Sequence, residues 1–193
     1  MTTKLLSNHE INIPDSWNDI SFVDYVNLFK YRECVTTDML EIDITLNLFI
    51  LLCNPPQEVL DNITVPELAD ISNIISKFLI NEKEYKEEDP TFFTYQDQLY
   101  SYSRDFDELG VQELKAIQAS KKKYPHDMID IVSILVREST LSEDQKAKRI
   151  PFRQSDVENR KQIFLTMPWD NFVGPINFFL TNIVPLIASM DKK

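Results

Sequence analysis

The chain has 193 residues, of which 43% are apolar and 26% are charged, a composition close to that of folded globular proteins and far from that of disordered chains. Its formal net charge of −11 argues against a general nucleic-acid-binding protein, because contacts with phosphate need a cationic face. The chain contains two glycines, too few for a phosphate-binding loop or a dinucleotide-binding turn.

We therefore expect a mainly α-helical protein that needs no cofactor. The longest apolar runs, residues 46–53 and 176–188, are shorter than the roughly 20 residues of a bilayer-spanning helix. The first ten residues lack the apolar core of a secretory signal. The sequence thus predicts a protein that is neither secreted nor transmembrane.

Three helices are predicted before residue 81. Residues 22–33, FVDYVNLFKYRE, repeat their apolar side chains at helical spacing. A second, largely buried helix should end near Asn54, because two prolines follow it. Residues 65–80 place their aliphatic side chains on one face, and residues 83–89 should form a charged loop.

The segment TFFTYQDQLYSYS, residues 91–103, predicts a short β-hairpin, although four of its apolar side chains would also share one helical face. A loop centred on Asp97 and Gln98 would place Tyr95 opposite Tyr100. One aromatic face should pack on the helices beside free strand edges. The side chains predicted to point outward are Phe92, Thr94, Leu99 and Ser101. Packing in the core is the favoured role of the tyrosines, and recognition would use the strand edge.

Further helices are predicted in residues 111–123, 126–138, 155–167 and 172–190. Residues 1–138 should form a helical domain that includes the hairpin. Residues 139–193 should form a helical C-terminal arm or a continuation of the same domain. Residues 139–154, which carry Arg149 and Arg153, are predicted to be either a mobile, partner-bound arm or a solvated connection.

Four segments share one pattern: WNDISFVDY, LDNITVPEL, FDELGVQEL and WDNFVGPIN. In the first three, an N-cap residue (Ser21, Thr64 or Gly110) is followed three positions later by an acid, which is the layout of a capping box. The fourth segment has Val173 at the cap position. Trp17 and Trp169 begin the first and last copies, so the pattern predicts either duplicated docking sites or four well-capped helix starts.

No catalytic or metal-binding constellation is evident in the sequence. The only histidines are His9 and His126, and the two cysteines have no CxxC spacing. Neither a His-dependent triad nor a zinc site is therefore predicted. We expect a protein that is not an enzyme, and an active site could arise only from carboxylates that are distant in the sequence.

The segments PDSWNDISFVDYVNLF and FFTYQDQLYSYSRDFDELGVQEL, with the helices between them, resemble small helical proteins encoded with virion and tail-assembly genes of tailed phages, particularly crAss-like and related Bacteroidetes phages. The likeness does not extend to the chain from Ser139 onward. It implies a virion component, or an assembly chaperone that binds head or tail proteins, present in several copies in the virion or the host cytoplasm.

Together these observations predict a non-enzymatic structural or assembly component of a tailed-phage particle. Its partners would be other virion or assembly proteins, including copies of itself, without sequence-specific nucleic-acid binding. The alternatives are a tail-assembly chaperone that is absent from the mature particle and a small intracellular regulator that binds a host protein. The predicted protein-binding residues are Trp17, Phe92, Thr94, Leu99, Arg149, Arg153 and Trp169.

Overall fold

A computed structural model describes residues 1–80, 91–121, 128–142 and 147–185. The helices in these ranges are α1 (Phe22–Cys34), α2 (Glu41–Cys53), α3 (Gln57–Asn62), α4 (Val65–Ile80), α5 (Val111–Lys121), α6 (Met128–Leu135), α7 (Val157–Leu165) and α8 (Val173–Phe178). The strands are β1 (Thr2–Leu6), β2 (His9–Ile13), β3 (Phe92–Tyr95), β4 (Gln98–Ser101), β5 (Arg137–Leu141) and β6 (Ala147–Arg149). The prediction of a mainly helical protein is confirmed in part, because the helices are accompanied by two antiparallel sheets of two and four strands. The prediction of a single hairpin is wrong.

The contacts within the chain define two compact units. The first contains the described residues 1–80 and 168–170, and the second contains 91–121, 128–142, 147–167 and 171–185. The predicted domain boundary after residue 138 stays a prediction, although strand β5 runs across that position. The predicted charged loop at residues 83–89 and His126 lie outside the described residues.

The first unit opens with an antiparallel hairpin that the sequence interpretation missed. Strands β1 and β2 pair with Leu6 opposite His9, and the turn residues Ser7 and Asn8 both have positive φ angles. Ile11 and Ile13 alternate with exposed side chains and are buried, as in a strand with one face on a core. The hairpin was not predicted because its turn lacks the glycine that most often marks a two-residue hairpin turn in a sequence.

The predicted helix starts are confirmed in detail. Ser21 forms a reciprocal capping box with Asp24 at the start of α1. The backbone N–H of Thr64 donates to Glu67 Oε2 at 2.9 Å, and the hydrogen bond from the Thr64 side chain is the main reason that the pKa of Glu67 lies below its usual value. At the start of α8 no side chain caps the helix, as the departure of the fourth segment from the pattern predicts.

Helix α2 is less buried than predicted. Phe49 is fully buried, but Ile42 is 46% exposed and Ile50 is 39% exposed. The apolar composition of this helix suggested burial on all sides, whereas its side chains are mostly half-buried or exposed. The left-handed Asn54 then ends the helix at the predicted position.

Burial raises the pKa of the Cys53 thiol to about 12, whereas Cys34 is exposed. Thiolate is the species that alkylates, so the raised pKa leaves almost no reactive Cys53 at neutral pH. We expect iodoacetamide to modify Cys34 first in the folded protein and to reach Cys53 at a comparable rate only after unfolding. Peptide mass spectrometry of time points measures both rates, and equal rates in the folded protein would contradict the burial of Cys53.

The second unit contains a four-stranded antiparallel sheet in the order β3-β4-β5-β6. The predicted helix at residues 126–138 ends at Leu135, and the chain turns into β5. The prediction of a helical arm from residue 139 onward is therefore wrong at its start. Ser139 and Arg149 are paired residues of the strands β5 and β6. Within this unit, helix α6 packs against α5 and α7, and most of its side chains are buried.

Within the described ranges, no helix combines the length and the apolar character needed to cross a membrane.

Candidate protein-interaction site

The predicted hairpin is present in the second unit, with a register that differs from the prediction. Gln96 and Asp97 form a two-residue turn, and both have positive φ angles, as turns of type I′ require. Tyr95 consequently pairs with Gln98, and Phe93 pairs with Tyr100. The predicted pair of Tyr95 with Tyr100 is wrong, because the turn is centred one residue earlier, on Gln96 and Asp97, which are both left-handed.

Strand β3 forms the edge of the sheet. The backbone N–H and C=O groups of its residues point alternately toward β4 and away from it. Antiparallel partners alternate between pairs that exchange hydrogen bonds and pairs that do not. The N–H of Tyr102 donates to the carbonyl of Thr91 at 3.0 Å, so the pair Thr91–Tyr102 exchanges hydrogen bonds. By alternation, Phe93 and Tyr95 also bond to β4, whereas the N–H and C=O groups of Phe92 and Thr94 point away from it.

The outer edge of β3, defined by the backbone of Phe92 and Thr94, has no paired strand among the described residues. The strand sequence FFTY contains no charge, proline or glycine. Natural edge strands are usually protected by charged side chains, by proline or by a bulge. Among the described residues, the shortness of β3 is the one protection of this kind, which favours the addition of another strand at the outer edge.

An aromatic cluster holds β3 in place from the opposite face. The rings of Phe93 and Tyr100 stack with centroids 5.7 Å apart. Phe93 meets Phe172 edge to face at 5.9 Å, and Tyr100 meets Phe164 edge to face at 5.3 Å. Because Phe164 and Phe172 are fully buried, the strand that carries the outer edge rests on the core of the second unit.

The outward face of the hairpin agrees with the prediction at three positions. Phe92 is 43% exposed, Thr94 is exposed and Leu99 is half-buried. The prediction was wrong for Ser101, which is buried and lies 2.6 Å from the hydroxyl oxygen of Ser139. Strand β5 pairs with this end of β4, so the edge of β4 is not free.

The two arginines predicted to bind a partner differ in their surroundings. Arg153 is exposed. Arg149 is largely buried, with Nη2 3.5 Å from Glu108 Oε2 and Nη1 3.8 Å from Glu113 Oε1. Glu113 also contacts Arg137 at 3.2 Å. The partner-binding role of both predicted arginines stays a prediction, but Arg149 already has internal partners that fix β6 on α5.

Burial lowers the pKa of Arg137 from its usual value, and the nearby positive charge of Arg149 lowers it further. Glu113 opposes both effects. The buried carboxylate of Glu113 therefore allows two arginines to approach each other inside the second unit. The sequence predicted Glu113 as a helix-capping acid. Glu113 also has this role, since the Gly110 N–H donates to Glu113 Oε2 at 2.8 Å.

Both tryptophans contact the ring of Tyr25 in the first unit. Trp169 stacks on Tyr25 with centroids 3.3 Å apart, and Trp17 meets the same ring edge to face at 5.9 Å. Trp169 is buried, and its backbone N–H donates to the carbonyl of Ile20 at 2.8 Å. The predicted duplicated docking sites are thus brought together on one ring, and their role in protein binding stays a prediction.

Trp17 and Tyr25 also line an open groove of about 370 Å³ between α1 and α2, which we call the Trp17 groove. The other described residues that line it are Leu28, Phe29, Tyr31, Arg32, Val35, Ile44, Leu48 and Leu79. Spacing along the sequence did not connect Trp17 with Arg32 or Leu48, because these residues belong to different elements that only tertiary packing brings together.

No group of three or more potential metal ligands occurs among the residues that the structure describes. His9 lies in β2 with Nε2 3.2 Å from Glu58 Oε2, and both side chains are well exposed. An exposed pair of this kind lacks the enclosed pocket and the third group that orient a catalytic imidazole.

Comparisons with known proteins gave no match to a family model, to a curated protein or to a solved structure.

Proposed function

We propose that the chain is a non-enzymatic structural or assembly component of a tailed-phage particle, and that it acts through protein–protein contacts. The observation that carries this proposal is the outer edge of β3. Phe92 and Thr94 offer backbone donors and acceptors away from β4, on an uncharged strand that a buried aromatic cluster supports. A strand of another virion or assembly protein, or of a second copy, would extend the sheet there.

The exposed side chains fit this mode of binding. Backbone hydrogen bonds supply affinity in strand addition, and alternate side chains supply specificity. Phe92 and Thr94 lie on the same face of β3, and Phe92 is 43% exposed. A partner strand would cover part of the Phe92 ring beside the hydrogen-bonded edge. The resemblance to virion and tail-assembly proteins supports the choice of partner class.

Replacing Thr94 by proline tests the edge, because proline removes an N–H that has no acceptor in β4. Proline is tolerated on edge strands whose N–H faces outward, so we expect the free energy of unfolding to change by less than about 1 kcal/mol. Incorporation of the chain into particles should fall about tenfold, which corresponds to about 1.4 kcal/mol of binding energy. Quantitative peptide mass spectrometry of particles purified from cells that produce each variant measures this loss.

Two further variants complete the experiment. Thr94→Val changes the same side chain but keeps the N–H, so it should be incorporated like the original chain. Phe93→Pro removes an N–H that bonds to β4 and should unfold the sheet. Normal incorporation of folded Thr94→Pro would contradict the edge contact, and absence of the original chain from purified particles would contradict its role as a virion component.

A further inference from the structure

The Trp17 groove combines an apolar lining with one charge. Its described lining residues are aliphatic or aromatic apart from Arg32. The volume of about 370 Å³ lies within the range of small-molecule pockets, about 300 to 1,000 Å³. A groove of this size is suited to a small organic molecule rather than to the broad contact of a protein interface.

One wall of the groove is preorganised. Tyr25 is fixed from behind by the stacked ring of Trp169 at 3.3 Å and from the side by Trp17 at 5.9 Å. The hydroxyl of Tyr31 donates to the carbonyl of Ile44 at 3.5 Å, which links α1 to α2 across the groove. Rings held in this way give up little conformational entropy when they contact a ligand.

Arg32 supplies the charge complementarity that selects the ligand. It is exposed in the last turn of α1, and no described carboxylate forms an ion pair with it. It is the one charged residue among the described residues that line the groove. A carboxylate, sulfonate or phosphate group can bind the planar fork of Arg32 in a bidentate manner.

We infer that the Trp17 groove binds a small organic anion, with an aromatic or branched aliphatic body in the groove and its single acidic group on Arg32. This site lies in the first unit, whereas the outer edge of β3 belongs to the second. Binding there would give the protein a ligand-dependent function in addition to its contacts with other proteins.

Two fluorescent probes test the inference on the full chain. Anilinonaphthalene sulfonate carries an aromatic body and one anionic group, and N-phenylnaphthylamine has the same aromatic framework without the charge. We expect one anilinonaphthalene sulfonate molecule per chain, with quenching of Trp17 fluorescence. Arg32→Gln should weaken this binding by about threefold to tenfold and leave the binding of N-phenylnaphthylamine unchanged.

Two control variants separate the groove from the rest of the surface. Lys30→Gln removes the same charge from the same helix but does not line the groove, so it should bind both probes normally. Val35→Trp fills the groove and should abolish the binding of both. Equal losses in Arg32→Gln and Lys30→Gln, or full binding to Val35→Trp, would overturn the inference. Absence of anilinonaphthalene sulfonate binding by the original chain would also overturn it.

Discussion

Replacing Arg160 by methionine should lower the free energy of unfolding of the second unit by about 3 kcal/mol. The side chain of Arg160 is 1% exposed. Its Nε lies 3.1 Å from Glu138 Oε2, in a charge contact that is not an aligned hydrogen bond, and its Nη1 donates to the carbonyl of Ser133. Removal of the guanidinium leaves Glu138 without this partner at a largely buried position. The expected loss is at the lower end for buried pairs because Glu138 is 25% exposed.

Urea denaturation followed by far-ultraviolet circular dichroism measures the effect. Arg153→Met removes an exposed arginine from the same unit and should leave stability unchanged within about 0.5 kcal/mol. The double variant Arg160→Met/Glu138→Leu should recover part of the loss, because the uncompensated carboxylate is then absent. A stability of Arg160→Met equal to that of the original chain would show that the Arg160 contacts contribute nothing.

Replacing Gly174 by alanine should destabilise the second unit by about 2 kcal/mol, since a new methyl group would be forced into a packed site. A Cβ at this position would overlap the hydroxyl oxygen of Tyr102 and lie 2.9 Å from its Cζ. Tyr102 is buried at 5% exposure, so its ring has little room to move. Helix propensity alone predicts the opposite sign, because alanine stabilises a helix interior by about 1 kcal/mol relative to glycine.

The double variant Gly174→Ala/Tyr102→Phe tests the cause of this loss. Removal of the hydroxyl relieves the closest overlap but leaves Cζ in place, so a partial recovery relative to Tyr102→Phe is expected. Thermal unfolding of the four chains supplies the comparison. An increase in stability for Gly174→Ala would mean that Tyr102 moves aside and that helix propensity decides the outcome.

Local signals in the sequence predicted the parts of the fold that local chemistry determines. The capping acids Asp24, Glu67 and Glu113 lie where the spacing placed them, because a capping box depends on residues three positions apart. The end of α2 at Asn54 followed from the prolines after it. The hairpin at residues 91–103 was also correct in kind.

The errors have a common physical origin in long-range pairing. Strand β5 forms because Ser101 and Tyr100 pair with Arg137 and Glu138, which lie 36 and 38 positions later in the chain. The sequence of β5 itself, RESTL, is too polar to predict a strand. The burial of Arg149 beside Glu113 is likewise invisible to a local pattern. The Trp17 groove could not be predicted for the same reason, although Trp17 itself was predicted to bind a partner.

Amide hydrogen exchange of individual β3 residues tests the central claim most directly. In the free protein, the N–H groups of Phe92 and Thr94 should exchange much faster than those of Phe93 and Tyr95, which bond to β4. When the chain is bound in the particle or to its isolated partner, Phe92 and Thr94 should become protected. Protection of Thr94 equal to that of Phe93 in the free protein, or fast exchange of Thr94 in the bound state, would contradict binding at the outer edge of β3.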